Sequence, residues 1–274
     1  MNLSFYIQPA NINTSNAELF LEINSQGLSY TILDKNVFVA LASYHFDTAI
    51  SDEVAAGNIH KIMAAQPVLK QKFNKVHIIY GYTASMLIPE AYMDEKNSTA
   101  MLELVYGEAS ERVVRTDFVD EHAIYNVYGV PAEIEQVLNR YFGSAKHTHV
   151  FSLLPAVFKG NENYMYCIFG KGQLKVLLVK EGKLQLMQSV TYKTPDDIVY
   201  HLLNLYKNFE IAMPAITIYL SGMIDPDSAL YTEVYKYFLQ LEFQPLPEQY
   251  QYPDEINQYP AHYFSHLFAI AACV

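Results

Sequence analysis

Short apolar runs separated by polar or glycine-bearing breaks dominate the early part of the chain. Residues 19–23, 29–33 and 37–44 are rich in Leu, Ile, Val and Phe and are broken at Gln26-Gly27 and at Asp34-Lys35-Asn36. That pattern predicts three antiparallel strands. The same rhythm returns at residues 164–169, 173–179 and 184–191, broken at Gly170-Lys171-Gly172 and at Lys180-Glu181-Gly182. The second break has hairpin chemistry, because Gly accepts a positive φ. A helix and a fourth strand follow each triplet. In the second half Thr194 is placed to cap, Pro195 to take the first helical position, and Asp196 and Asp197 to complement the helix N-terminus. Ile198, Leu202, Leu205 and Phe209 then recur at helical spacing. In the first half Asp52 and Glu53 open a run with Val54, Ile59, Ile62 and Met63 on one side, and Pro67 is expected to kink or divide it. The fourth strands, residues 75–80 and 215–220, read as buried and largely parallel.

Beyond the fourth strand the halves diverge. The second continues with a helix over 227–239, carrying Leu230, Val234, Tyr237 and Phe238, and a strand over 242–246. The first inserts residues 83–128, read as a helix over 98–105 and a hairpin of 112–118 with 122–128, forming a separate layer on the first lobe. It rejoins the pattern with a helix from Pro131, on which Ile134, Val137, Leu138 and Tyr141 share a face, and a strand over 149–153. The order β-β-β-α-β-α-β thus occurs twice, at a period far above that of a solenoid, so the expected event is domain duplication. The expected lobes are residues 1–155 and 156–274, with Gly27 and Gly172 at equivalent turns.

Composition narrows the partners. The 274 residues carry 29 acidic and 18 basic side chains, a net of −11, with 51% apolar and 17% charged residues. So few Lys and Arg argue against nucleic acid and against anionic membranes, both held mainly through cations. No apolar run approaches the ~18 residues of a membrane span. The opening residues, MNLSFYIQPANINTSN, have neither a basic region nor an apolar core, so a leader is not expected. Cys167 in an apolar strand and Cys273 near the last residue make no disulfide framework, so reduced thiols in a cytoplasm are expected.

Two copies of that strand order, each a mixed sheet with helices, resemble the duplicated ribonuclease-H-like architecture of the actin-like ATPase superfamily, which includes pilus-assembly and cell-division relatives. Over nearly all of its length the chain is similar to the DUF3822 family of uncharacterised bacterial proteins from Bacteroidetes. Its Phe264-Ser265-His266-Leu267-Phe268-Ala269-Ile270-Ala271-Ala272 is similar to the small-residue apolar helix that closes this superfamily. The resemblance implies an α/β fold with two lobes and a search for nucleotide chemistry in three turns, where backbone N–H groups meet phosphate and hard oxygens meet Mg²⁺. The first turn reads Glu22-Ile23-Asn24-Ser25-Gln26-Gly27, in which Glu stands for the family's Asp. The second reads Ile168-Phe169-Gly170-Lys171-Gly172, with Ile168 at the carboxylate position. The third reads Leu220-Ser221-Gly222-Met223, with Met223 where close approach to adenosine would want a second glycine. Hydrolysis of ATP is therefore not expected.

Other chemistry is thin. Gly170-Lys171-Gly172 lacks the spacing of a phosphate loop and precedes a strand, so it reads as a tight turn. His147 with His149, and His262 with His266, have spacings compatible with zinc but no third ligand nearby in sequence. No Gly-x-Ser-x-Gly elbow supports a nucleophilic enzyme. The stretch from Pro245 to Pro253, continuing to Tyr259, Pro260 and Tyr263, suits either a binding surface or, the favoured reading, a stiffened crossover packed over the second sheet. Two functions stay open. One is a non-catalytic scaffold that binds another protein, or itself, through the insert or the Tyr/Pro stretch, with no cofactor. The other is an ATP-binding switch using Glu22, Asn24, Ser25, Gln26, Gly170, Lys171, Ser221 and Gly222, with Mg²⁺.

Overall fold

The structure, a computed structural model, describes residues 2–9, 12–46, 50–108, 111–158, 162–213 and 215–274. It divides into two units: residues 1–153 with 248–258, and residues 154–247 with 259–274.

In the first unit β1 (Asn2–Ile7), β2 (Glu18–Asn24), β3 (Gly27–Asp34) and β4 (Val37–His45) are antiparallel neighbours in the order β1-β4-β3-β2. Helix α1 (Asp52–Ala65) starts at Ser51, whose hydroxyl accepts from the Val54 N–H at 3.3 Å. Pro67 does divide the run, since Pro67–Lys70 is a separate 3-10 turn. Strand β5 (Lys75–Tyr80) then adds to β2 in parallel. Helix α1 contributes Ile59, Ile62 and Met63 to one core with Leu19, Leu21 and Ile23 of β2 and Ile78 and Tyr80 of β5.

The insert is a layer of its own, as expected. Strand β6 (Ser85–Pro89), absent from the sequence reading, leads through helix α2 (Ser98–Tyr106) to β7 (Arg112–Val119) and β8 (Ile124–Pro131). These strands form a separate three-stranded sheet in the order β6-β8-β7, around Ile88, Leu102 and Val127. Residues 109–110 of the insert lie outside the described residues. The hairpin closes through Ala123 at φ 47°. Helix α3 (Ala132–Tyr141) returns Ile134 and Leu138 to the main core, and β9 (Lys146–His149) extends the main sheet beside β5.

The strand expected over 149–153 is a correction. The ladder stops at His149, and residues Val150–Leu153 form a helical turn, α4. Side chains capture the backbone donors that would have continued the ladder. The Asp117 carboxylate accepts from the His149 N–H at 2.7 Å, and His149 Nδ1 accepts from the Phe151 N–H at 3.1 Å.

The second unit repeats the plan. Strands β10 (Tyr164–Gly170), β11 (Gln173–Lys180) and β12 (Lys183–Thr191) are antiparallel. Helix α5 (Pro195–Asn208) opens with a capping box between Thr194 and Asp197. Then come β13 (Thr217–Gly222), parallel to β10, helix α6 (Ala229–Tyr235), and β14 (Leu241–Phe243), parallel to β13. The sheet order β12-β11-β10-β13-β14 is that of β4-β3-β2-β5-β9, so the expected duplication holds. Helix α7 (Ser265–Ala271) closes the unit. Cys167 lies in its core with Leu202 and Leu220, and burial pushes the thiol up.

The Tyr/Pro stretch differs from the favoured reading. Residues 248–258 belong to the first unit, not to the second, so the expected lobe 156–274 is interrupted there. Gln251 exchanges backbone bonds with the start of β4: the Phe38 N–H donates to its carbonyl at 2.9 Å, and its N–H donates to the Asn36 carbonyl at 2.8 Å. Tyr250 and Tyr252 pack on the Phe38 ring at centroid distances of 5.0 and 5.6 Å. The two tyrosines bury an aromatic ring that β4 would otherwise expose.

Candidate functional site

The ladders allow the turns to be matched residue by residue. Asn24 faces Gly27 in the first unit, and Gly170 faces Gln173 in the second. Glu22 therefore matches Ile168. Gly27 and Gly172 lie in equivalent turns but one position apart, since Gln26 is the residue that matches Gly172. The Gly81 N–H donates to the Ile23 carbonyl and the Met223 N–H to the Phe169 carbonyl, so Gly81 matches Met223.

In the first turn Asn24 Oδ1 accepts from the Gln26 N–H at 2.8 Å, an Asx turn that shapes the loop from within. Ser25 is exposed, Asn24 and Gln26 are half-buried, and Glu22 is buried in β2. Gly27 is demanded by packing, because a Cβ there would sit 2.1 Å from the Tyr44 carbonyl oxygen.

In the second unit the register Ile168↔Ser221 and Phe169↔Gly222 brings Gly170, Lys171, Ser221 and Gly222 to one end of β10 and β13. Lys171 is exposed and Gly172 turns at φ 72°. Ile168 is buried. Gly222 has φ 84°, and a Cβ would lie 2.3 Å from the Phe169 carbonyl oxygen. Met223, next to it, is exposed.

Ser221 is wholly buried, and its hydroxyl faces the segment that leads into α7. It donates to the His262 carbonyl at 2.9 Å and accepts from the His266 N–H at 3.2 Å, with Ser265 Oγ at 2.9 Å and His266 Nδ1 at 3.1 Å. Ser265 in turn donates to Gln244 Oε1, which also accepts from the Tyr166 hydroxyl. His262 Nε2 lies 2.6 Å from the Ile224 carbonyl, and a carbonyl only accepts, so the proton sits on Nε2. Burial holds that imidazole below its usual value.

The histidine pairs are used locally. His147 Nδ1 meets the Tyr80 hydroxyl at 2.8 Å. His149 accepts at Nδ1 from the Phe151 N–H, which leaves Nε2 as the donor to the Tyr82 carbonyl at 3.0 Å. Among the described residues no three His, Cys, Asp or Glu side chains gather as a metal site.

One polar centre had no sequence signal. In the first unit Asp117 of β7 accepts from the His149 N–H, from the Ser152 hydroxyl at 2.6 Å and from the Tyr128 hydroxyl at 3.2 Å. Asn126, fully buried, accepts from the Ser85 hydroxyl at 2.6 Å and donates to Ser152 at 3.0 Å. Nearby, Arg115 forks onto Glu135 of α3 at 2.5 and 3.3 Å. Burial raises the Asp117 carboxyl above the usual range despite three accepted bonds. Ser152 bonds to Asp117 rather than to His149, so no serine-histidine relay exists here. The centre ties the inserted sheet to β9 and α4.

A family model described as "Protein of unknown function (DUF3822)" matches residues 8–241. No curated protein matches the chain. Among solved structures, a Bacteroides thetaiotaomicron VPI-5482 protein with an actin-like ATPase fold and unknown function is similar at a TM-score of 0.78 and 18% identity, over 95% of this chain and 97% of that one. PilM of the PilM–PilN type IV pilus biogenesis complex is similar at 0.61 and 13%, over 93% and 96%. The ethanolamine utilization protein EutJ from Carboxydothermus hydrogenoformans is similar at 0.51 and 9%, over 96% and 92%. The fold is thus that of the actin-like ATPases. No helix among the described residues is long and apolar enough to cross a membrane.

Proposed function

The chain belongs to the DUF3822 family, and on that premise we propose that it is a non-catalytic, protein-binding member of the actin-like fold that works in the cytoplasm with both cysteines reduced. One observation carries the reading. Where the first unit has Glu22, the ladder-matched residue of the second is the buried Ile168, and beside it Ser221 gives its hydroxyl to the C-terminal segment. An isoleucine offers no hard oxygen to Mg²⁺ or to an attacking water, and a saturated, wholly buried serine offers no donor to phosphate. Met223 adds a side chain where the matched residue is Gly81. These residues do not fit ATP with Mg²⁺. A protein partner has a precedent on this fold in PilM, which is seen in complex with PilN.

The second reading, an ATP-binding switch built on Glu22, Asn24, Ser25, Gln26, Gly170, Lys171, Ser221 and Gly222, draws on the exposed cationic Lys171 in its turn. Calorimetric titration of the purified chain with ATP and Mg²⁺ separates the two. No saturable heat is expected. A stoichiometric micromolar Kd, lost in Gly170→Val, would replace the first reading by the second.

A further inference from the structure

The insert carries a surface that the nucleotide turns leave untouched. Residues 83–128 hold nine carboxylates against three Lys and Arg, a net of −6 out of the chain's −11. Helix α2 sits on this acidic layer, pinned by the buried Leu102 against Ile88 and Val127. At 100° per residue, Ala100 and Leu104 line up opposite Leu102, and Met101 and Val105 line up to its side, each pair one turn apart. Leu104 is 87% and Val105 58% exposed, and Tyr92, just ahead of the helix, is 75% exposed. Asp94 and Glu95 precede this stripe, Glu103 lies on the helix and Glu108 follows it, while Lys96 is the single Lys or Arg between residues 90 and 108. A helix of nine residues that leaves Leu and Val in water, rimmed by charge of one sign, has the composition of an interaction site.

The rim selects the occupant. A second copy would bring carboxylates against carboxylates, and an anionic membrane would be repelled. We propose that α2 and its acidic flanks dock a basic amphipathic helix of a partner protein, whose apolar stripe covers Met101, Leu104 and Val105 while its Lys and Arg meet the carboxylates. The proposal rests on the protein-binding reading above and gives that partner its chemistry. Helix-on-helix recognition of this kind uses apolar anchors at i, i+3, i+4 and i+7.

The test uses the full chain and a fluorescein-labelled 18-residue helical peptide with a Leu stripe flanked by Lys, read by anisotropy. Saturable micromolar binding is expected, weakened at high salt. Leu104→Glu with Val105→Glu should reduce affinity at least about tenfold. These are exposed side chains, so an unchanged melting temperature and far-UV spectrum should accompany the loss. The double variant adds two negative charges, so attraction by charge alone would strengthen instead. Glu95→Lys with Glu103→Lys should also weaken binding. The proposal falls if the double variant binds as tightly as the parent chain, if a peptide with Glu in place of Lys binds equally, or if no binding occurs at roughly 100 μM peptide. It falls too if the double variant instead turns a dimer of this chain into a monomer, which would identify a second copy as the occupant. Peptide failure with ATP still unbound removes only this surface, whereas micromolar ATP binding removes the protein-binding reading itself.

Discussion

Gly222 shows how a residue that invites a nucleotide reading serves the backbone. Its left-handed φ of 84° strains any side chain, and a Cβ there would lie 2.3 Å from the Phe169 oxygen, too close to fit. Gly222→Ala is expected to destabilise the chain by about 2 kcal/mol or more in urea titration, with no change in its response to ATP. Three histidines contribute to sensitivity toward acid. His77, His147 and His262 are each held below the ordinary value of about 6.5, with burial the leading cause. Between pH 7 and 5 the unfolded chain takes up protons that the folded one resists, so stability falls as pH falls through that window. The urea midpoint should drop from pH 7 to pH 5, and His147→Gln should reduce the drop.

At the scale of elements, the joint between the inserted sheet and the main sheet depends on one carboxylate. Asp117 reaches 32 residues along the chain to His149 and 35 to Ser152. Asp117→Ala leaves the His149 N–H and two hydroxyls without their acceptor, a loss of about 1–3 kcal/mol for each donor that stays buried and unpaired. Hydrogen exchange should rise in β9 and α4 while the amides of β10 to β13 keep their protection. No local pattern in sequence announces such a centre, because each partner comes from a different element. The strands and helices themselves were largely legible, since periods of 2 and 3.6 follow from which face each element buries. Strand β1 escaped although Leu3, Phe5 and Ile7 alternate with Asn2, Ser4 and Tyr6, because it is a short edge strand whose side chains stay mostly exposed. Strand β6 escaped because its five residues pair only with a strand about 40 positions away.

For the whole molecule, the chain leaves the first unit at residue 153, returns for residues 248–258 and leaves again. The Tyr and Pro residues there read as a stiffened crossover packed over the second sheet, whereas residues 248–258 belong to the first unit, because local spacing does not record which sheet a segment covers. Phe38 is fully buried, and Tyr250 and Tyr252 pack on its ring. Tyr250→Ala with Tyr252→Ala should lower the melting temperature and speed amide exchange in β3 and β4, both in the first unit, while sparing β11 and β12. Uniform loss of protection in both units would show that the segment does more than cover Phe38.

Sequence alone determined the duplicated strand order, the separate inserted layer and the two glycine-bearing turns, which follow from local periodicity and residue type acting over a few positions. That Ile168 and Met223 stand where nucleotide chemistry would want a carboxylate and a glycine is what the family resemblance implied. Only tertiary structure decided the fate of Ser221, which the ATP-binding reading included through Leu220-Ser221-Gly222-Met223 and which proves to be saturated by a segment some 41 to 45 residues later. Tertiary structure likewise decided the end of β9 at His149, the home of residues 248–258, and the exposure of Leu104 and Val105. Each depends on which distant group arrives first at a hydrogen-bond donor or an apolar face, and one-dimensional spacing carries no record of that competition.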